Sequence, residues 1–399
     1  MAPTEETPEA VAWLEQLEGY IERHGLCGYD PFDVKAHPLL QAVQPYAPLR
    51  KLSSGLLDVF PTLSRRMLRV KPTLNPKAFA LVALGRLRRY QCTGEEQHLG
   101  RALDSLSWLR ENAASGYSGL CWGYPFDVRG KDLHRPAGTP VGVVSATAGE
   151  AFSLAWRITG EETHRDAVCA IATFFLEDIH RVDCGGGACC FSYTTVDRWC
   201  VHNANLHAVA HLYRASDITG DAAYREAARP ALRFTLDAQR RDGAWPYGAW
   251  SADEGYERAP LEMVDHHHTG FVLRSLQAIH AIEPTDGVKE AILKGYDFYL
   301  KCLFTPEGAP RITTDHTYPI NIHACAEGVL CPAMLDDMVD GGLDVAARTL
   351  RWTREHMADG RTGLPYYRAY PWFANKLLCT RWGLAWIYYA LAEYVYRRG

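Results

Sequence analysis

A short turn signal recurs along this chain and governs what it can fold into. Cys92-Thr93-Gly94-Glu95, Ile158-Thr159-Gly160-Glu161 and Ile218-Thr219-Gly220-Asp221 are near copies, followed by the looser Pro284-Thr285-Asp286-Gly287 and Asp340-Gly341-Gly342. The glycines stand roughly 60 residues apart, too long a period for a single helix-turn-helix repeat but right for a long helical hairpin with one elaborated loop. Apolar segments with helical spacing flank the turns, as at 146–158 and 206–218 before them. Ala227, Ala231, Phe234 and Ala238 follow the third turn at i, i+4, i+7 and i+11. A Gly just past the first helix stops it, and the acidic residue beside it suits the start of the next.

Each second helix then runs into an aromatic-polar loop. These loops are Cys121-Trp122-Gly123-Tyr124-Pro125-Phe126-Asp127, Cys190-Phe191-Ser192-Tyr193, Ala244-Trp245-Pro246-Tyr247-Gly248, 311–319 and Leu364-Pro365-Tyr366-Tyr367-Arg368. First-type helices are expected to begin near Asn75, Thr147, Asn203, Asp265, Asn321 and Arg381. Six hairpins in cyclic order close into an all-α (α/α)6 toroid over 71–399, first-type helices inside and second-type outside. Strands are limited to short rim hairpins. All aromatic loops gather on one rim and all turns on the other. Residues 1–70, with Pro31, Pro38, Pro45, Pro48 and Pro61, are expected to form a leader packing on the barrel outside. Its Tyr20, Tyr29 and Phe32 are placed to reach the mouth.

Composition removes several classes of function. With 42 Lys+Arg against 47 Asp+Glu, a net charge of −5 and 47% apolar residues, the chain has ordinary soluble-globular values. The absence of a Lys/Arg run leaves no expected footprint for nucleic acid or an anionic membrane. No uncharged apolar stretch of about 18 residues spans a bilayer. The acidic N-terminus lacks the apolar core of a signal peptide. Twelve cysteines without an export signal point to free thiols in a reducing, cytoplasmic setting.

Polar residues at the inner-helix entrances converge on the aromatic rim: Asn75 and Lys77; Thr147; His202, Asn203 and Asn205; the run from Asp265 to His268; His316, Asn321 and His323; Arg381 and Trp382. Asn203, Asp265 and Asn321 are also favoured N-cap types, but caps do not need histidines beside them. Asp265 and His268 lie one turn apart on the same side, a carboxylate that can orient an imidazole for proton transfer. At least one of His266 and His267 must turn away. His323 is placed as the partner on the next inner helix, so that His268 and His323 form an acid/base pair or a pair of metal ligands. Trp122, Tyr124, Tyr193, Trp245, Tyr247, Tyr318, Tyr366 and Trp372 are candidates for gripping a sugar. Arg381 and Arg129 are candidate carboxylate or phosphate clamps, and Asp127 with Asp265 is a candidate hydrolytic pair.

Two motifs are set aside. Asp336-Asp337-Met338-Val339-Asp340 matches a diphosphate-metal box of terpene synthases but falls in the register of the turns, on the wrong rim. The segment from His268 to Leu276 resembles the zinc-bearing helix of protein prenyltransferase β subunits. Its other ligands would have to come from Asp183/Cys184 or Cys189/Cys190, without the right local pattern.

Trp122-Gly123-Tyr124-Pro125-Phe126-Asp127, Asn203-Ala204-Asn205, the run from Gln239 to Tyr247, the run from Asp265 to Phe271, the run from Ile322 to Ala326 and Arg381-Trp382-Gly383 occur in that order. Together they resemble a poorly characterised family of six-hairpin proteins encoded among exopolysaccharide genes, from about residue 70 to the end. The expected fold is also similar to that of glucuronyl C5-epimerases, polysaccharide lyases and unsaturated glucuronyl hydrolases. Segments 257–273 and 364–367 look like parts of the C5-epimerases. The resemblance implies a glycan or sugar-precursor ligand.

The expected chemistry is C5 proton abstraction from a uronic acid, giving an epimerase or a lyase. His268 (oriented by Asp265), Tyr318 or Tyr247 is the expected base, and His323 the opposing acid. Arg381, Asn203 and Asn205 are expected on the carboxylate. Hydrolysis, isoprenoid handling and non-catalytic glycan binding are the alternatives. No cofactor is expected; bound zinc would favour the prenyltransferase-like reading.

Overall fold

A computed structural model describes residues 6–35, 37–43, 46–129, 134–249 and 262–399. The chain opens with α1 (Glu6–His24), α2 (Pro38–Val43), α3 (Ala47–Val59) and α4 (Pro61–Met67). Inner and outer helices then alternate: α5 (Pro76–Thr93), α6 (Glu96–Glu111), α7 (Gly142–Thr159), α8 (Glu162–Glu177), α9 (His202–Thr219) and α10 (Ala223–Asp237). The series continues with α11 (His266–Ile282), α12 (Asp286–Leu303), α13 (Ile322–Leu335), α14 (Gly342–His356) and α15 (Ala385–Arg398).

The inner helices form a closed ring. α5 packs on α7, α7 on α9, α9 on α11, α11 on α13 and α13 on α15, and α15 returns to α5. They are buried nearly all round, as a helix surrounded by others must be. The expected all-α toroid is the observed fold. Each outer helix from α6 to α14 backs the inner helix before it, whereas α15 is covered differently. α1 packs against α15 instead. Its apolar stripe Ala10, Trp13, Leu14, Leu17 and Ile21 is buried, and its Glu18 carboxylate accepts from Arg86 of α5 at 2.9 Å and from the Tyr388 hydroxyl of α15.

The turns behave as their glycines require. Gly94, Gly160 and Gly220 end α5, α7 and α9 in the left-handed region at φ 68°, 70° and 77°, where a Cβ is unfavourable. Gly287 differs: it lies inside α12, and Thr285 caps that helix by accepting from the Val288 amide.

Asn75, Asp265 and Asn321 cap α5, α11 and α13, each accepting a backbone N–H of the first turn. One expected entrance and one expected cap are corrected. α7 begins at Gly142, five residues before Thr147, and Asn203 lies inside α9 rather than capping it. The cap positions there are Val141 and Val201, whose backbones pair with Thr194 and Gly248 in rim bridges. Strand pairing orients the incoming chain and leaves no side-chain signal in the sequence. At Arg381 the helix starts with a π-turn, Thr380–Leu384.

Short strands sit on the same rim. Val128–Arg129 pairs with His134–Arg135, and Arg181–Gly185 with Ala188–Phe191. Ile320–Asn321, Arg368–Ala369 and Ala374–Asn375 make a three-stranded sheet. None of the twelve cysteines is in a disulfide. Among the described residues no helix is long and apolar enough to cross a membrane.

Candidate active site

A cavity of about 240 Å³ opens at the inner-helix N-termini, walled by Phe32, Tyr124, Phe126, Tyr193, Trp199 and Trp382, with Arg135, Tyr247 and His268 adding polar groups. The walls come from distant parts of the chain. Phe32 belongs to the N-terminal segment and meets the edge of Trp382 at 5.2 Å between ring centroids. Tyr124 stacks on Phe126. Rigid amphipathic rings of this kind offer flat apolar faces with polar edges, the surface a sugar ring needs.

His268 stands at the cavity's polar end. Asp265, the N-cap of α11, accepts from the His268 backbone N–H at 3.0 Å and lies 2.5 Å from the ring nitrogen Nδ1. Burial alone would raise the Asp265 carboxyl. The adjoining His268 and His267, with the hydrogen bonds from His268, outweigh it and hold the group below the usual carboxylate range. An ionised Asp265 fixes the Nδ1–H tautomer and leaves Nε2 with its lone pair. The His268 side chain is 25% exposed and Tyr247 meets its edge at 4.6 Å. A second, water-sized pocket of about 10 Å³ lies between Asn203, Tyr247, Asp265 and His268; the Asn203 Oδ1 beside it has no hydrogen-bond partner.

Behind His268 the barrel interior holds further bases. His267 lies 4.1 Å from His268 and 5.0 Å from His323, ring to ring. Burial pushes His267 down to about 3 and His323 well below its ordinary value. Both His323 nitrogens lack a hydrogen-bond partner. Lys77 of α5 lies over the rings of Phe271 and Trp386, and burial, with Arg381 and Arg274 nearby, brings its amine down to about 7. His266 is the histidine that turns away, buried against Tyr299 and Phe304.

Several expected site residues take other places. His323 matches His267, not His268: each is the second residue after its cap, and 100° per residue separates that position from the third. Arg381 is buried and held two-pronged by Asp30 at 2.6 and 2.9 Å, so it is no free carboxylate clamp. Its guanidinium backs Tyr124 and Trp382 at 4.7 Å each, stiffening the wall. Asn205 is fully buried, accepting from Phe191 N–H and donating to the Ala231 carbonyl. Trp122 and Trp245 serve the core: each indole N–H donates to a carbonyl of the preceding outer helix, Leu109 and Thr235. Trp245 also edges the water-sized pocket.

Burial keeps the Tyr247 phenol protonated well above its ordinary value, which suits a donor and not a base. Tyr318 is exposed on the rim and does not line the cavity. Asp127 is tied to the Ala137 amide and to His134, each at 2.9 Å, and lines neither pocket beside His268. The Arg129 side chain and residues 257–261 lie outside the described residues. Asp336 accepts from the Leu343 amide and Asp337 pairs with Arg397 at 2.8 Å; both serve the opposite rim.

Among the described residues, Asp265, His267 and His268 form the one cluster that could hold a metal ion. The 2.5 Å Asp265–His268 contact is a hydrogen-bond length, shorter than the roughly 3.3 Å between two ligands of a tetrahedral zinc. Among the wall residues, Arg135 and Trp199 escaped the sequence reading. Arg135 lies over the Trp199 ring at 4.2 Å and pairs with Asp197 at 3.0 Å. Trp199 lies just ahead of α9, beyond Tyr193, the last residue of the aromatic loop expected in that hairpin.

No family model matches the sequence, and no curated protein does. Solved structures match its shape. Cellobiose 2-epimerase from Bacillus thermoamylovorans superposes with a TM-score of 0.65 at 11% identity, over 82% of this chain and 88% of that one. A polysaccharide lyase gives 0.60 at 11%, over 98% and 97%. An unsaturated glucuronyl hydrolase specific for heparin gives 0.57 at 13%, over 82% and 87%. They share this (α/α)6 toroid. At such identities the likeness is one of fold, and the chemistry has to be argued from the cavity.

Proposed function

We propose that the chain is a carbohydrate-active enzyme that takes a proton from a sugar carbon next to a carboxylate, with His268 as the base. The observation that carries this is the Asp265–His268 pair, an oriented imidazole at the edge of an aromatic-walled cavity. Neighbours named as a cellobiose 2-epimerase and a polysaccharide lyase share the fold, which supports a sugar ligand.

His268 Nε2 removes the C5 proton of a uronate, and the C–H electron pair moves into the carboxyl group. The protonated phenols of Tyr247 and Tyr193, both on the cavity wall, donate to the developing oxyanion. Arg135, which lines the cavity although Asp197 holds one side of its guanidinium, takes the place expected for Arg381 as the wall cation for the carboxylate. Return of a solvent proton to the opposite face of C5, with His268 releasing its own proton to solvent, gives epimerisation; departure of the C4 oxygen with the proton held by His268 gives the lyase product with a 4,5-double bond. The cavity is not wholly apolar, and the acidic box lies on the far rim, so isoprenoid handling has no comparable support.

The test is incubation with uronate-containing oligosaccharides in D₂O, following C5 by NMR. Deuterium should enter C5 with the native chain and not with His268→Gln. Binding without exchange across such a panel would overturn the proposal in favour of hydrolysis or simple binding.

A further inference from the structure

The whole-chain charge of −5 conceals a sharp local asymmetry. Residues 35–71 carry seven Lys and Arg against a single Asp. The same stretch holds most of the exposed large apolar side chains among the described residues, including Leu52, Leu56, Phe60, Leu63 and Met67. The physical arrangement follows from how α3 is attached. Asp58, on its inner side, accepts from the Tyr370 hydroxyl at 2.6 Å and from Asn375 Nδ2 at 3.1 Å. Leu49, Leu52 and Leu56, spaced i, i+3 and i+7, are left facing outward. Lys51, Arg66, Arg69 and Lys71 are exposed around them.

The hairpin that receives Asp58 carries Trp372 at its tip, 90% exposed and the most exposed large apolar side chain among the described residues. Phe373 beside it stacks on Tyr370. That hairpin is the edge of the sheet containing Asn321, which accepts from the Trp382 indole of the cavity wall at 2.7 Å. The apolar, basic face is therefore continuous with the cavity rim.

We propose that this face docks on the surface of an anionic phospholipid bilayer. An amphipathic helix with a leucine face, flanking Lys and Arg, and a projecting Trp has the composition that lies in the interfacial plane of a membrane. The charge decides against the obvious competitor, a second copy of the chain. A two-fold interface would set this one-signed patch against itself, and interface cores are depleted of such charges. Anionic headgroups complement it. The sequence-level expectation of no anionic-membrane footprint rested on net charge and on the lack of a contiguous basic run. Neither measure registers basic residues spread along an exposed apolar stretch. Taken with the proposed function, on which this consequence rests, docking sets the cavity mouth at headgroup level and makes a lipid-linked glycan the fitting substrate class.

The test is flotation of the full chain with phosphatidylcholine vesicles, with and without phosphatidylglycerol. The chain should float with the anionic vesicles, stay behind with the neutral ones, and be released by high salt. Leu52→Glu/Leu56→Glu, at exposed positions that leave the core intact, should lower the bound fraction about tenfold or more. A Lys51→Glu/Arg66→Glu variant should do so on anionic vesicles. A native chain that never floats overturns the proposal, as does a leucine variant that binds equally well. Absence of flotation combined with a leucine variant that turns a dimer into a monomer in sedimentation assigns the face to self-association. His268→Gln should float like the native chain, which keeps this result separate from that of the exchange assay.

Discussion

Replacing Asp30 by Ala should destabilise the protein through a residue that touches no ligand. Its carboxylate holds Arg381 with two short bonds and also accepts from the Phe32 amide at 3.1 Å. Arg381 is 2% exposed, so removal of Asp30 leaves a guanidinium buried beside Tyr124 and Trp382 without its partner. Breaking a buried pair from one side costs about 3–5 kcal/mol, and an orphaned amide adds about 1 kcal/mol. The chain has 399 residues, and at about 2.1 cal/mol/K per residue its unfolding entropy is about 0.8 kcal/mol/K. A loss of about 4–6 kcal/mol then lowers the melting temperature by about 5–7 °C. The assay is a reversible calorimetric or circular-dichroism melt of the native chain, Asp30→Ala, Arg381→Met and the double variant. The double variant removes both charges and should recover at least half of the loss, since an apolar pair of similar volume replaces a desolvated ion pair at little cost. An Asp30→Ala melting point within about 1 °C of native, or losses that simply add in the double variant, would refute the assignment of Arg381 to the wall.

Three further outcomes are expected. Asp265→Asn keeps the helix cap but removes a carboxylate that the adjoining histidines hold ionised, so the melting point should fall by a few degrees, while proton exchange at the sugar falls about 10³–10⁴-fold as the His268 tautomer is lost. Lys77, brought down to about 7 by burial, binds its proton less readily folded than unfolded. Between about pH 7 and 10 the unfolded chain holds more protons at this site, so its contribution to stability rises with pH. Denaturant titrations should show the native chain gaining on Lys77→Met across that range, and a constant gap would contradict the buried placement. At Gly270 a Cβ would lie 2.4 Å from Glu327 Cγ, pushing that carboxylate off Arg274, which it meets at 2.6 Å. Gly270→Ala should therefore lower the melting temperature by several degrees, and Glu327→Ala should do likewise.

Much of the molecule is legible in its sequence because the repeat is local. The Thr-Gly-Glu turns announce helix stops through a backbone requirement of glycine, and the caps Asn75, Asp265 and Asn321 are short-range hydrogen bonds between neighbours. The Asp265–His268 pair is visible for the same reason: three positions on a helix are adjacent whatever surrounds them. Where strand pairing replaces a side-chain cap, at Val141 and Val201, the sequence offers no cap, and the start of α7 is expected five residues late. Trp122 and Trp245 look like binding residues in sequence because a tryptophan in a polar loop gives no hint of the carbonyl its indole reaches.

The rest was decided by contacts between distant segments. Asp30 and Arg381 are 351 positions apart, and only the closed ring brings them together and converts an apparent clamp into a strut. The same closure places Phe32 in the cavity wall, α1 against α15, and Asp58 under a hairpin tip more than three hundred residues away. Local periodicity determines which helices form and which faces are apolar. Desolvation and pairing across the finished barrel determine which charges are free to act, and those depend on everything the ring encloses.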